Sequence, residues 1–252
     1  MQLKVKTVLN AIQHFPGFVF HDIRLLDERH GQPRLEVTIV PHAGRLALCS
    51  HCRQAAPGYD HLPERAWLFV PLWGLVTHFI YTARRVNCPA HGVVVEFIPW
   101  STGKRPVTIA MMCFLSRWAR RLSWRETAQV FGTSWECVYR SVEWFVAWGL
   151  AHRKLENVHS IGVDEIHWGR SKGADSFLTV IYQIDGHCRR LLWVGKRRTQ
   201  ATLRRGLAAL GDEVVSGLRF VCSDMWRPYL NVIAEKAGQA LHVLDRFHIT
   251  MH

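Results

Sequence analysis

The stretch Ile161-Gly-Val-Asp164-Glu165-Ile-His-Trp-Gly169, followed about sixty residues later by Val221-Cys-Ser-Asp224-Met-Trp-Arg-Pro-Tyr229, decides how the C-terminal part of this chain is read. Each segment sets an aspartate at the end of a short apolar, strand-like run, with a hairpin pattern and a helix pattern between them. Two carboxylates delivered by neighbouring strands can share divalent cations for phosphoryl transfer. A single strand-end aspartate is commonplace; the ordered pair carries the argument. Glu165, next to Asp164, points to the opposite face if the strand runs through it, and is read as structural.

Working outward, Ser176 to Ile184 reads as a second strand, Asp185-Gly186 as a hairpin turn and Arg189 to Val194 as the returning third strand. A helix follows around Gln200–Leu210. Leu218 to Cys222 is the fourth strand, delivering Asp224, and Trp226 to Ala237 is a helix with Pro228 in its first turn, where a missing amide is harmless. Ala240 to Leu244 is a fifth strand ending in Asp245-Arg-Phe-His248. Three antiparallel strands followed by alternating helices and strands is the order of an RNase H-like fold. Its first and fourth strands are neighbours, which brings Asp164 and Asp224 to a shared site.

Upstream, residues 107–150 switch to helical patterning. Ser123-Trp-Arg-Glu126 and Thr133-Ser-Trp-Glu136 both have the spacing of a capping box. They predict a two-turn helix ending at Gly132, a tight turn, and a second helix from Ser134 to Gly149 with Val138, Val142, Phe145 and Gly149 on its packed face. This is the grammar of a helix-turn-helix, although an ordinary helical hairpin would read the same way. Trp135, Tyr139 and Arg140 near the start of the second helix are candidate DNA contacts. Arg117, Arg120, Arg121 and Arg125 ahead of them are candidate phosphate contacts.

Within residues 47–98, Cys49-Ser-His-Cys52 and Cys88-Pro-Ala-His91 are two knuckles thirty-five residues apart. Zinc needs four soft or borderline ligands in a tetrahedron, and each knuckle offers two. The strand pattern from Trp67 to Val86 is expected to form the ribbon joining them. His51 and His61 are alternatives to His91 as the fourth ligand, and a redox Cys-x-x-Cys with an unrelated Cys88 is the competing reading.

With 48% hydrophobic and 21% charged residues, the composition is that of a folded protein rather than a disordered one. The formal charge of +12 favours a polyanionic partner, and much of it is concentrated in residues 103–125 and 196–205. Seven cysteines do not complete a disulfide framework, and the N-terminus lacks a secretory pattern, so a reducing cytoplasm is expected. Ala66 to Ala83 carries no charged residue, but Pro71 and Gly74 interrupt it; it reads as two strands and a turn rather than a membrane span.

The expected architecture is α+β and multidomain: a β-containing N-terminal segment (1–46), a β-rich zinc ribbon (47–98), a helix-turn-helix DNA-binding domain (107–150) and a partial RNase H-like α/β catalytic domain (157–252). This series, with its Val-Asp-Glu strand, Ser-Asp-Met strand and Asp-Arg-Phe-His strand end, resembles DDE transposases of the ISL-three insertion-sequence family over about residues 45–252. The resemblance implies that Asp164 and Asp224 are the first two catalytic acids, binding Mg²⁺ or Mn²⁺, and that double-stranded DNA bearing the element's terminal inverted repeats is the partner. It also implies a homodimer, for which no seam is visible in the sequence.

In the family the third acid, a glutamate, lies well beyond this last strand end, and here residues 246–252 hold no acid. The expectation is a truncated chain that binds transposon ends, has an incomplete catalytic triad and is inactive alone. Asp245 is, in the resemblance, a neighbour of the metals. A second reading, from another class, is a non-catalytic DNA-binding regulator of the element. A third, a stand-alone RNase H-like nuclease, leaves the ribbon and the helix-turn-helix without a role.

Overall fold

Apolar residues at every second position build the first sheet. In strand β2 (Arg34–Pro41) Leu35, Val37 and Ile39 are buried and their neighbours are not, the period of a half-buried strand. In the computed structural model, which describes residues 5–26, 33–168 and 174–244, the chain divides into two units, Met1–His152 and Arg153–His252. It is mixed α/β, with three sheets and, among the described residues, seven α-helices.

In the first unit β1 (Phe18–Leu26) pairs antiparallel with β2, while β4 (Arg65–Leu72) and β5 (Leu75–Tyr81) form a hairpin whose second strand lies parallel to β2. The sheet order is β1-β2-β5-β4. Trp73 and Gly74 turn the hairpin with φ of 52° and 80°, the left-handed pair that a two-residue hairpin loop demands. The charge-free stretch is thus two strands and a turn, and among the described residues no helix is long and apolar enough to cross a membrane. Helix α1 (Val5–Ile12), absent from the sequence reading, sets Leu9 into the core of this sheet. Trp100 is buried there, with Phe18 and Tyr81 edge-on to its ring at 5.1 and 5.3 Å.

Sheet pairing departs from expectation here. The strands read as the ribbon between the knuckles join the N-terminal strands instead, so residues 1–46 share a sheet and a core with residues 65–81. The knuckles have their own small sheet of β3 (Gly58–His61), β6 (Arg84–Cys88) and β7 (Gly92–Val95), in the order β3-β6-β7. A non-local parallel pairing such as β2 with β5 has no turn to announce it, so local patterning does not reveal it.

Three helices follow. Helix α2 (Ile109–Trp118) is capped by Thr108, whose hydroxyl accepts the Met111 N–H at 3.1 Å. Helix α3 (Trp124–Val130) opens on the expected capping box, Ser123 and Glu126 satisfying each other's backbone N–H. Helix α4 (Trp135–His152) does not: Ser134, not Thr133, caps it by accepting the Cys137 N–H at 3.1 Å, and Glu136 turns outward to pair with Arg140. Gly132, at φ 61°, makes the left-handed turn between α3 and α4.

The three helices pack through Met111, Met112, Leu115, Ala128 and Val138. Burial on α4 runs through Val138 and Ser141 but fades before Phe145, which is 38% exposed. Helices of ten and seven residues cannot cover one of eighteen, since each residue adds only about 1.5 Å.

The second unit holds a five-stranded sheet of order β10-β9-β8-β11-β12: β8 (Ser160–His167), β9 (Phe177–Asp185), β10 (Cys188–Lys196), β11 (Phe220–Ser223) and β12 (Leu241–Leu244). The first three strands are antiparallel, and β11 runs parallel to both β8 and β12. Helices α5 (Gln200–Leu210) and α7 (Arg227–Lys236), with the short α6 (Asp212–Ser216) between them, complete the unit. Leu203, Leu207, Val232 and Ile233 pack with Ile161, Val163 and Val221 in one core. Gly206 lets α5 approach closely, because a Cβ there would lie 2.7 Å from Ile181 Cδ1 and 2.8 Å from the Trp193 ring. Pro228 sits in the first turn of α7, and strand β8 runs three residues past Asp164, which is therefore mid-strand rather than at its end.

Candidate functional site

The first site lies on two tight turns. The β6–β7 turn carries Cys88-Pro-Ala-His91, closed by the His91 N–H donating to the Cys88 carbonyl at 3.2 Å and by Gly92 at φ 66°. Opposite it, Cys49 to Cys52 form a knuckle in which Arg53 N–H donates to the Cys49 carbonyl at 3.0 Å and Arg53 takes φ 65°. The donor atoms of Cys49, Cys52, Cys88 and His91 all lie within 4.8 Å of one another. Cys52 and Cys88 sulfurs are 3.7 Å apart, and His91 Nδ1 is 3.7 Å from Cys49 and 3.6 Å from Cys88. A tetrahedron of thiolates at about 2.3 Å from a zinc-sized ion has edges of about 3.8 Å, so this donor set fits a metal ion.

All four cysteine and histidine positions picked from the spacing are brought together, and His91 supplies the nitrogen. His51 stacks on His91 at 5.1 Å instead of joining the cluster. Burial raises the Cys49 thiol, but the N–H groups of Cys52 and His51 outweigh it and hold the thiol below its ordinary range. All seven cysteines are free thiols.

Beside this cluster lies a group the sequence reading missed. Glu96, 2% exposed, accepts hydrogen bonds from the Tyr81 hydroxyl at 2.5 Å and from the Arg84 backbone at 2.8 Å, and pairs with the Arg84 guanidinium at 2.7 Å. Burial first, then the hydrogen bond to Glu96 and its charge, pushes the Tyr81 hydroxyl above its ordinary range. A lone Glu after three valines gave no signal beyond its apolar setting.

The candidate DNA contacts all reach solvent: Arg117 lies in the last turn of α2, Arg120 and Arg121 follow the helix, Arg125 lies on α3, and Trp135, Tyr139 and Arg140 line the first turns of α4. Trp124 and Tyr139 rings lie 5.2 Å apart, joining α3 to α4 on this exposed side. Arg140 is already paired, 2.8 Å from Glu136.

The acidic site lies where β8 and β11 run side by side. Their register pairs Cys222 with Gly162, so two residues further on Asp164 comes level with Asp224. Alternation along β8 sends Val163 and Glu165 to the helix-covered face and Asp164 to the other. Asp164 accepts the Glu165 N–H at 2.8 Å. Asp224 leaves the strand direction, its Oδ1 accepting the Trp226 N–H at 3.0 Å. Its other oxygen meets Arg198 Nη2 at 3.1 Å, and Arg198 Nε is 2.6 Å from Glu165 Oε1.

That second contact is close but badly aligned, which leaves Glu165 Oε1 buried without a hydrogen bond. A buried carboxylate oxygen held by an ion pair alone, near two further carboxyl groups, suits a hard cation. Burial, then the charge of Asp224, raises Glu165 to about 6, with a smaller push from Asp164 and Arg198 opposing. Glu165 was read as structural. It does face away from Asp164, yet it is Glu165 that shares Arg198 with Asp224. Asp245 lies outside the described residues.

With this geometry in view, the comparisons with known proteins are specific. A family model described as Transposase, of the DDE type and the ISL-three group, matches residues 161–252, the segment holding all three carboxyl groups. Over that segment the chain is similar to ISL-three transposases. It is 27% identical over 245 residues to the transposase for insertion sequence element IS1557 of Mycobacterium tuberculosis strain CDC 1551 / Oshkosh, covering 92% of this chain and 52% of that protein. The counterpart from strain ATCC 25618 / H37Rv matches equally. The chain thus spans about half the length of the curated relatives it matches.

Proposed function

We propose that this chain binds the DNA ends of an insertion sequence and presents part of a divalent-cation site for DNA strand cleavage and joining. The reading rests above all on one observation: residues 161–252 hold Asp164, Glu165 and Asp224 around the β8–β11 junction of a sheet of order β10-β9-β8-β11-β12. Mg²⁺ or Mn²⁺ bound there would activate water or a 3′-hydroxyl and stabilise the leaving oxygen. In this reading Asp224, tied back by the Trp226 N–H, offers the cation the oxygen that now meets Arg198, and Asp164 offers an oxygen from the adjoining strand. Strand cleavage and joining are proposed for the full family protein; cation and DNA binding are what this chain contributes.

We assign α3, the Gly132 turn and α4 as a helix-turn-helix. Arg117, Arg120, Arg121 and Arg125 would meet phosphates, and Trp135, Tyr139 and Arg140 would lie toward the groove. The Cys49, Cys52, Cys88 and His91 cluster is assigned to a structural Zn²⁺, which fixes the small β3-β6-β7 sheet. A reducing cytoplasm suits its free thiols, and a paired-end reaction suits a homodimer.

The test uses the full chain with duplexes carrying an insertion-sequence terminal repeat or a scrambled one, in Mn²⁺ or in chelator. Preference for the terminal repeat, together with Mn²⁺ binding lost in Asp224→Asn, supports the proposal. Equal affinity for both duplexes overturns it. End binding that survives Asp164→Ala and Asp224→Ala, with no bound Mn²⁺ in the unmutated chain, transfers the assignment to a non-catalytic regulator of the element.

A further inference from the structure

Arg198 occupies the position between acids that a cation would take. Its guanidinium joins Glu165 within β8 to Asp224 just past the end of β11, and sits 4.2 Å over the Trp226 ring. The side chains are 8% exposed for Glu165, 14% for Asp224 and 27% for Arg198, so the carboxyl groups are enclosed and the guanidinium is the member with a way out. Arg197, just before it, takes φ 80°, a left-handed conformation that turns the chain back across the strand end. The segment therefore holds Arg198 inward at a backbone cost.

We propose that Glu165 is a ligand of the divalent cation and that Arg198 is the resident counter-ion the cation displaces. The inference rests on the cation-binding reading of this unit. Asp164, Glu165 and Asp224 bring three negative charges when ionised and Arg198 one positive, so the four together leave two negative charges unmatched. A dication in place of Arg198 leaves only one unmatched, and its compact charge meets the Glu165 oxygen that the misaligned guanidinium leaves without a hydrogen bond. Arg198, once released, lies in the basic run with Lys196 and Arg197 and adds its fork of donors to that surface. No bond is made or broken; the exchange is of one cation for another. By linkage, whatever the Arg198 ion pairs contribute to the cation-free state is lost from cation affinity.

The experiment measures Mn²⁺ binding to the full chain by calorimetry, with Arg198→Met, which keeps a stem over Trp226, and Glu165→Gln. Thermal melts first confirm that each variant folds. Arg198→Met is expected to bind Mn²⁺ more tightly, by about tenfold, and Glu165→Gln to bind it more weakly. In the unmutated chain Mg²⁺ should alter tryptophan emission, and Trp226→Phe should abolish the change. Mn²⁺ bound equally or more weakly by Arg198→Met, or unaffected by Glu165→Gln, overturns this inference while leaving the cation site in place, provided Asp224→Asn still removes binding. Absence of an emission change overturns the displacement. No Mn²⁺ bound by the unmutated chain or by Arg198→Met removes both this inference and the cation reading beneath it.

Discussion

Glu165 and Asp224, from adjacent parallel strands, share a single guanidinium: Arg198 lies 2.6 Å from the first and 3.1 Å from the second. This places like charges close together in a largely enclosed space, a situation that disfavours ionising both. This arrangement and the separate cysteine cluster each have a consequence that can be measured on the protein without any DNA.

The first is a pH dependence. Burial, then the Asp224 charge, raises Glu165 from the ordinary 4.5 to about 6. A raised carboxyl favours the folded state while it is protonated, so its contribution is fully present below the unfolded value. It is lost as pH rises through the folded one. In chelator, the urea midpoint should fall between those two pH values, and Glu165→Gln should flatten that fall. An unchanged slope in the variant would show that the carboxyl is not perturbed.

The second consequence concerns the cysteine knuckles. Protein purified without chelator is expected to carry zinc, and Cys88→Ser is expected to carry almost none. Since the buried core around these residues is small, built from Ala47, Cys49, Ala56, Val86 and Cys88, metal removal should lower the melting temperature of the first unit. Elemental analysis alongside calorimetry checks both; full thermal stability after zinc removal would contradict a structural ion.

Nucleic-acid binding should respond unequally to the exposed arginines. Arg121→Ala is expected to weaken binding to all duplexes alike and to reduce the salt slope by about one, as loss of a phosphate contact does. Arg140→Ala should cost less, because its guanidinium already faces Glu136 at 2.8 Å. Fluorescence anisotropy across a salt series decides the ranking, and the reverse order would move the DNA surface elsewhere.

Glu96→Ala should be the most destabilising surface-neutral change in the first unit. It strips a partner from Arg84, whose side chain is 18% exposed, and from the Tyr81 hydroxyl. Breaking a buried pair on one side costs on the order of 3 kcal/mol, readable as a shift in urea midpoint. Glu96→Gln, which can still accept the Tyr81 hydrogen bond, should fall between the two.

How much of this is legible in the sequence differs by residue. The Ser123–Glu126 box and the α5 limits at Gln200 and Leu210 could be read directly, because capping and helical periodicity act between residues three or four apart. The Thr133 box misled, since Ser134 next to it competes for the same amides and won. The Cys49, Cys52, Cys88 and His91 set was found from spacing, but Glu96 was not, because its partners Tyr81 and Arg84 belong to strands of two different sheets.

The sequence by itself determined most of the local elements, the two knuckles and the adjacency of β8 and β11 through the order of strands. Only the tertiary structure decided that β4 and β5 complete the N-terminal sheet, and that Glu165 rather than Asp164 meets Asp224 across Arg198. The reason is physical. Capping, turns and side-chain alternation are set by neighbours along the chain, whereas sheet order and the sharing of one guanidinium depend on which distant segments bury each other.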